Sequence, residues 1–211
     1  MERQRHPHWQ TKWARTNKYP QVDWKWDQRY VLPDQNMVSS AGITSGIDAV
    51  LYVISEKLGE PMADKIAKEM NYHTYHFVHD PKVEPFFIDW RYSTYVLNYA
   101  FQWNKEKAGV LLYDGVEEMA LASVFDIYSS SGTTRVHSIS SSVEPIVTKH
   151  GLNLIARHPI ADTPELDKLI VPGLQAKSLA AEEIHNWNET GNTKDVQFVH
   201  SDFLDRFLFE V

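Results

Sequence analysis

From residue 108 onward the chain alternates short unbroken apolar runs with segments of helical periodicity. Ala108 to Leu112 is continuously apolar, the pattern of a strand covered on both faces. Tyr113-Asp114-Gly115 is a turn signal, and Val116 to Tyr128 reads as an amphipathic helix. Thr134 to Ile139 reads as a strand, and Ile146 to Thr148 with Leu152 to Ile155 flank Lys149-His150-Gly151 as a hairpin. Leu169-Ile170-Val171 is a buried strand closed by Pro172-Gly173, Ser178 to Trp187 a helix, and Val196 to Val199 a last strand. This order predicts an α/β unit with a mostly parallel sheet and helices on its faces.

The upstream pattern differs. Residues 9 to 18 read as a short helix stopped at Tyr19-Pro20, because a proline disfavours helix in the residue before it. Val22 to Trp26, Arg29 to Leu32 and Met37 to Ser40 are β-like, and Pro33-Asp34-Gln35-Asn36 makes the last two a hairpin. A helix then opens at Gly42-Ile43-Thr44-Ser45-Gly46, with Ile47, Val50, Leu51, Ile54 and Leu58 on one predicted apolar face. Gly59 closes it and Pro61 opens the next, whose predicted stripe is Met62, Ile66 and Met70. Residues 72 to 87 look irregular, and Ile88 to Trp103 reads as an aromatic-rich third helix.

Composition narrows the function classes. The 211 residues carry a net charge of −7 and 43% hydrophobic side chains, enough for one sizeable core. The acidic balance argues against a nucleic-acid partner. The basic stretch Arg3, Arg5, Lys12, Arg15, Lys18, Lys25 and Arg29 reads as a solvated face. With no cysteine in the chain, disulfides, thiolate metal sites and cysteine nucleophiles are excluded. Met1 is followed by Glu2-Arg3-Gln4-Arg5-His6 rather than an apolar signal region, and no apolar run reaches the ~18 residues of a membrane helix. Ile88 to Trp103 comes nearest, interrupted by Asp89, Arg91 and Asn98. The expectation is a soluble chain, cytoplasmic by default, and extracytoplasmic if a signal or membrane segment precedes it.

Two stretches carry a family likeness. Val38-Ser39-Ser40-Ala41-Gly42-Ile43-Thr44-Ser45-Gly46-Ile47-Asp48-Ala49-Val50-Leu51 resembles the strand-to-helix element near the C-terminal end of a DJ-1/PfpI domain. His8-Trp9 and Tyr19-Pro20 fit the helix upstream of it. Gly109 to Met119 resembles the first strand and turn of such a domain, and His150-Gly151-Leu152 with Asp167 to Gly173 fits the hairpin and fourth strand of the same half. The resemblance is to the DJ-1/PfpI (ThiJ/PfpI) family of the class I glutamine amidotransferase-like superfamily. It implies a flavodoxin-like fold, incomplete or permuted. Residues 1–104 would be the C-terminal part of one domain and 105–211 the N-terminal part of a second.

The resemblance also implies a cysteine on a strained turn, with an acid from the first turn poised against it. Here the elbow would lie before Met1 or after Val211, and the acid's position falls on Ala120. Ser201 is the nearest serine that could replace the thiol, but Asp202-Phe203-Leu204 offers no small-residue elbow. Glu117 and Glu118 then read as first-turn acids favoured by the helix dipole. His6 or His8 would be the family's histidine, and without a partner either is structural. His73, His76 and His79, spaced by three, suggest a metal face, but the prolines that follow speak against a helix there, so no metal and no cofactor is expected.

Gly42, Thr44, Ser45 and Gly46 could cradle an anion, though tight packing with Thr44 or Ser45 as the cap and Asp48 as a first-turn charge is the plainer reading. The preferred function is a non-catalytic binding or structural module, with Gly42, Thr44, Ser45, Gly46, Glu117 and Glu118 as candidate binding residues and no catalytic residue. Its expected partners are a second copy or a missing flanking domain, with a membrane tether, if any, outside the chain. One alternative is part of a hydrolase, isonitrile hydratase or amidotransferase-like enzyme whose nucleophile lies outside the chain. Another is the ligand-sensing domain of a transcriptional regulator.

Overall fold

The computed structural model describes residues 4–5, 16–40, 42–70, 72, 79–84, 90, 93–192 and 195–199. His6, His8, His73, His76, Ser201 and most of the predicted helix at 9–18 lie outside the described residues. By its contacts the chain divides into two compact units, Met1–Ile88 and Asp89–Glu210.

In the first unit, β1 (Gln4–Arg5) pairs in parallel with β2 (Asp23–Trp24), and β3 (Tyr30–Asp34) pairs antiparallel with β4 (Met37–Ser40). The expected hairpin turn is present: the Asn36 N–H donates to Asp34 Oδ1 at 2.9 Å, an Asx-type closure. Two helices follow, α1 (Ile43–Leu58) and α2 (Glu60–Glu69), separated by Gly59. They pack on each other, and α1 also packs on the hairpin.

Several expectations about this unit need correction. Among the described side chains of α1, Ser45, Asp48, Ala49, Leu51 and Ser55 are buried, while Val50 and Leu58 of the predicted stripe are exposed. In α2 the buried residues are Ala63 and Ala67, and Met62 is exposed. Leu51 of the predicted stripe is fully buried, so the buried face of α1 combines one large apolar residue with small ones. The N-cap of α1 is Gly42, and positions 44 and 45 both lie inside the helix, past the cap. Asp48 lies beyond the first turn and is fully buried. Its Oδ1 accepts the Tyr72 hydroxyl at 2.6 Å, and its Oδ2 lies 3.5 Å from Arg29 Nη1. The carboxylate therefore ties the hairpin and the chain after α2 to the helix, where a dipole role would have left it at the surface.

The second unit opens with α3 (Ser93–Phe101) and continues as the α/β pattern predicts. Its strands β5 (Glu106–Leu111), β6 (Thr134–Ser140), β9 (His158–Pro159), β10 (Lys168–Pro172) and β11 (Val196–Val199) form one sheet in the order β11-β10-β5-β6-β9. Every pairing in it is parallel. Without the two-residue edge strand β9, the four longer strands run 2-1-3-4 in chain order, the flavodoxin-like arrangement. The helices are α4 (Glu118–Ser130), α5 (Ala176–Leu179) and α6 (Ala181–Glu189). The single helix expected over 178–187 is thus broken at Ala180. The predicted hairpin is β7 (Ile146–Val147) with β8 (Asn153–Leu154), antiparallel.

The core is built on both faces of the central strands. Ala108, Val110 and Leu111 of β5 and Leu169, Ile170 and Val171 of β10 are buried, with Val116, Leu121 and Val124 around α4 and Trp187 of α6 packed against them. Parallel strands sandwiched between helices need apolar residues at odd and even positions alike, which is why these runs are unbroken in the sequence.

Candidate functional site

Two connections leave the carboxyl ends of β5 and β10 in opposite directions along the sheet. From β5 the chain proceeds through α4 to β6 on one side, and β10 returns on the other side of β5. Open α/β sheets place their ligand crevice at such a reversal. A cavity of about 280 Å³ lies there, lined by Tyr113, Gly115, Glu117, Thr148, Lys149, Gln175 and Leu179. That volume is close to the ~300 Å³ at which small-molecule pockets begin.

Tyr113 forms the floor between the two strand ends. It is buried, and its hydroxyl donates to the Pro172 carbonyl at the end of β10. Burial raises the phenol pKa far above its ordinary value, and the negative charges of Glu117 and Glu183 add to the shift. Gly173 follows with φ +111, and a Cβ there would stand 2.7 Å from the Tyr113 oxygen. Glycine is required at 173 both for the left-handed backbone and for this close approach. Glu183 of α6 has a buried Oε2 without a hydrogen-bond partner among the described residues.

The β7–β8 hairpin forms the opposite wall and is fastened to the turn after β5. The Gly115 N–H donates to the Val147 carbonyl at 2.8 Å, and the Val147 N–H donates to Asp114 Oδ1 at 2.7 Å. The Lys149 N–H donates to the Val116 carbonyl at 3.0 Å. These bonds bring the tip of the hairpin to the start of α4. There, Lys149 Nζ donates to Glu117 Oε1 at 3.1 Å, and the His150 N–H donates to Glu118 Oε1 at 2.8 Å. His150 Nδ1 lies 2.6 Å from Glu118 Oε2. Burial alone would push the Glu118 carboxyl up. Hydrogen bonds from the Thr148 hydroxyl, the His150 ring and the backbone outweigh it and bring the carboxyl down to about 2. A carboxylate so fully supplied with donors is a poor proton acceptor near neutral pH.

Of the residues singled out from sequence, Glu117 and Glu118 come together with Lys149 and His150 at this crevice. Glu118 does stand in the first turn of α4, as the dipole argument expected, but Glu117 is the N-cap residue. Gly42, Ser45 and Gly46 belong to the first unit, and the Thr44 side chain lies outside the described residues. A Cβ on Gly46 would meet Ser40 Oγ at an ordinary 3.6 Å, so no close approach demands glycine there. Ala120, where the family likeness would put an acid, is buried in α4. His79 pairs with Glu60, its Nε2 3.6 Å from Oε1. Sequence reasoning missed Tyr113, Thr148, Lys149, His150 and Gln175 as site residues. The signal for Tyr113 was its place directly after a buried strand.

No family model and no curated protein matches the chain. A ThiJ/PfpI family protein from Pseudomonas syringae matches at a TM-score of 0.41 and 19% identity, over 58% of this chain and 51% of that one. Drosophila melanogaster DJ-1beta matches at a TM-score of 0.34 and 17% identity, over 49% of this chain and 60% of that one. An AraC family transcriptional regulator from Pseudomonas putida matches at 0.32 and 15%, over 48% of this chain and 69% of that one. The chain thus spans about half the length of the first of these relatives. The solved structures to which it is similar are DJ-1/ThiJ/PfpI family proteins, matched over part of the chain.

Proposed function

We propose that the second unit is a non-catalytic binding module that takes a small polar molecule into the crevice beyond β5 and β10. The observation that carries this reading is the state of the two carboxylates beside the crevice. Glu117 is engaged by Lys149, and Glu118 is saturated by His150 and Thr148. Glu118, held down to about 2, is a poor proton acceptor near neutral pH, position 120 is alanine, and the chain has no cysteine to activate. What remains is a cavity with polar walls: the Gln175 side chain, the Lys149 ammonium and the Glu117 carboxylate at its rim, with the Tyr113 ring as its floor. Such walls suit a ligand that both donates and accepts hydrogen bonds.

On this reading residues 1–104 and 105–211 correspond to parts of two DJ-1/PfpI-like domains, and the module works beside flanking sequence or a second copy. The test is to screen the full chain against a library of small polar metabolites by thermal shift and calorimetry, in parallel with assays of ester, glyoxal and isonitrile turnover. Saturable binding that Gln175→Leu weakens, with no turnover, is expected. Turnover that is abolished by changing one serine or histidine would overturn the reading.

A further inference from the structure

The β5–β6–β9 side of the sheet gathers positive charge on one face. Successive strand residues alternate between faces, and directly paired residues share one. Lys107 pairs with Arg135 and Gly109 with His137, so Lys107, Arg135 and His137 all project on the Gly109 face. Ile139, two residues beyond His137, pairs with His158, which puts His158 on that face too. The two rings meet: His137 Nδ1 lies 3.3 Å from His158 Nε2, with the ring centroids 5.3 Å apart. Arg157 is fixed beside them by its N–H, which donates to Ser138 Oγ at 2.9 Å. Lys107, Arg135 and Arg157 are exposed, and none of them makes an ion pair among the described residues. Glu106, next to Lys107 in β5, projects on the opposite face and is held there by Lys168 Nζ at 2.7 Å. Asp167, just before β10, accepts the Lys107 backbone N–H at 2.7 Å through Oδ2.

Burial holds the His137 imidazole below its ordinary pKa, and the positive charges of His158, Arg157, Lys107 and Arg135 push it the same way. In a chain of net charge −7, this is a local reversal of sign. The residue types and the spacing select the occupant. Two imidazoles on a tetrahedral Zn²⁺, with bonds of ~2.0–2.1 Å, would also stand ~3.3 Å apart. Three cationic side chains around the pair oppose a divalent metal and favour an anion. Two of the three are guanidinium forks, whose donor geometry matches phosphate. From β5 to β9 the cluster spans two strand spacings, about 10 Å, and from Arg135 to His137 it spans about 7 Å. That area suits one phosphoryl group. A protein that tracks a nucleic-acid backbone makes about 6–10 phosphate contacts over a longer surface.

We infer that Lys107, Arg135, His137, Arg157 and His158 form a site for a single dianionic phosphate group, separate from the crevice beyond the other end of β5. The first probe is sulfate, which stays a dianion across the range in which histidine titrates. Calorimetry on the full chain should show saturable sulfate binding that chloride at matched ionic strength does not give. In parallel, the imidazole resonances of His137 and His158 should shift together. Those resonances identify the site, because sulfate held by Lys149 at the crevice would leave them unmoved. The anion offsets the positive charges around His137, so the ring takes up a proton on binding. Sulfate should therefore bind about tenfold tighter at pH 5.5 than at pH 8, and the double variant His137→Gln, His158→Gln should flatten that profile. Arg135→Gln combined with Arg157→Gln should weaken sulfate by about tenfold. Both arginines are exposed, so the melting curve of this variant should match the parent's, which separates a lost site from lost folding. At pH 8, inorganic phosphate and glycerol phosphate are both dianions. Tighter binding of the ester assigns the site to a phosphorylated small molecule, and equal or weaker binding assigns it to the free ion. Sulfate that binds no tighter than chloride overturns the inference, as does a double-arginine variant that binds like the parent. So does Zn²⁺ moving the two imidazoles where sulfate does not. A single-stranded oligonucleotide that displaces sulfate at about a hundredfold lower phosphate concentration would also overturn it, by marking a backbone track. None of these outcomes depends on the crevice binding a ligand.

Discussion

Gly109 sits in the middle of β5 with no room for a side chain. A Cβ built there would stand 2.4 Å from Ile139 Cδ1, 2.6 Å from Leu166 Cδ1 and 3.2 Å from Leu169 Cδ1. Ordinary contact begins near 3.4 Å, so two neighbours must move by about an ångström. Ile139 and Leu169 are fully buried and Leu166 nearly so, which leaves them little free volume to move into. Overpacking of this kind costs about 1–3 kcal/mol. The backbone at 109 is not in the left-handed region, so alanine would also recover about 0.4–1 kcal/mol by restricting the unfolded chain. The net expectation for Gly109→Ala is a loss of about 1–2 kcal/mol. With a urea m-value of ~2 kcal/mol/M, the unfolding midpoint should fall by about 0.5–1 M.

Protection of the β5 and β6 amides against hydrogen exchange, followed through the transition, reads this unit apart from the first. A second variant makes the test sharper. Ile139→Val deletes the nearest clashing atom and by itself costs about 0.5–1.5 kcal/mol. In that background alanine at 109 fills part of the space left, so the two changes should couple by about 1 kcal/mol in the favourable direction. Additivity to within ~0.4 kcal/mol, or a single variant as stable as the parent, would refute the packing argument.

The Glu118 carboxyl, held at about 2 against an ordinary 4.5, makes stability depend on acid. A depressed carboxylate contributes stability that is complete above about pH 4.5 and is lost as pH falls towards 2, because the unfolded chain binds the proton first. The unscreened value would be about 3 kcal/mol. The half-exposed His150 partner reduces the expectation to about 1 kcal/mol. Urea midpoints for Glu118→Gln and the parent should therefore differ at pH 6 and converge by pH 2.5, and parallel profiles would contradict the assignment. In the first unit, Asp48→Ala removes the buried acceptor of Tyr72 and a counter-charge of Arg29, and should lower stability by about 3 kcal/mol. Asp48→Asn keeps the acceptor and should cost less, and thermal melts showing the reverse order would rule out the hydrogen bond as the main contribution.

The second unit was readable because its strands obey a rule that the sequence displays directly. Ala108 to Leu112 and Leu169 to Val171 are apolar without a break, and only a strand covered on both faces needs that. β9 was not readable: two residues, His158 and Pro159, with the proline placed at the edge of the sheet, carry no periodic signal. The face of α1 misled for a different reason. Pattern reading treats Asp48 and Ser45 as solvent-facing and Val50 and Leu58 as core. Yet Asp48 can be buried once Tyr72, 24 residues on, brings its hydroxyl and Arg29 its charge. A polar residue's partners are a property of the tertiary fold, and no local period announces them.

The crevice extends the same reasoning to function. Glu117-Glu118 at a helix start and Lys149-His150 at a hairpin tip were each visible in the sequence, 32 positions apart. Their meeting depends on how the hairpin docks, and that is set by backbone bonds such as Gly115 N–H to Val147 O and Lys149 N–H to Val116 O. Once those bonds form, the hairpin delivers the Lys149 ammonium to Glu117 and the His150 ring and N–H to Glu118, whose carboxyl is held down to about 2. The backbone bonds that build the wall of the cavity are thus also what sets these donors against the two carboxylates beside it.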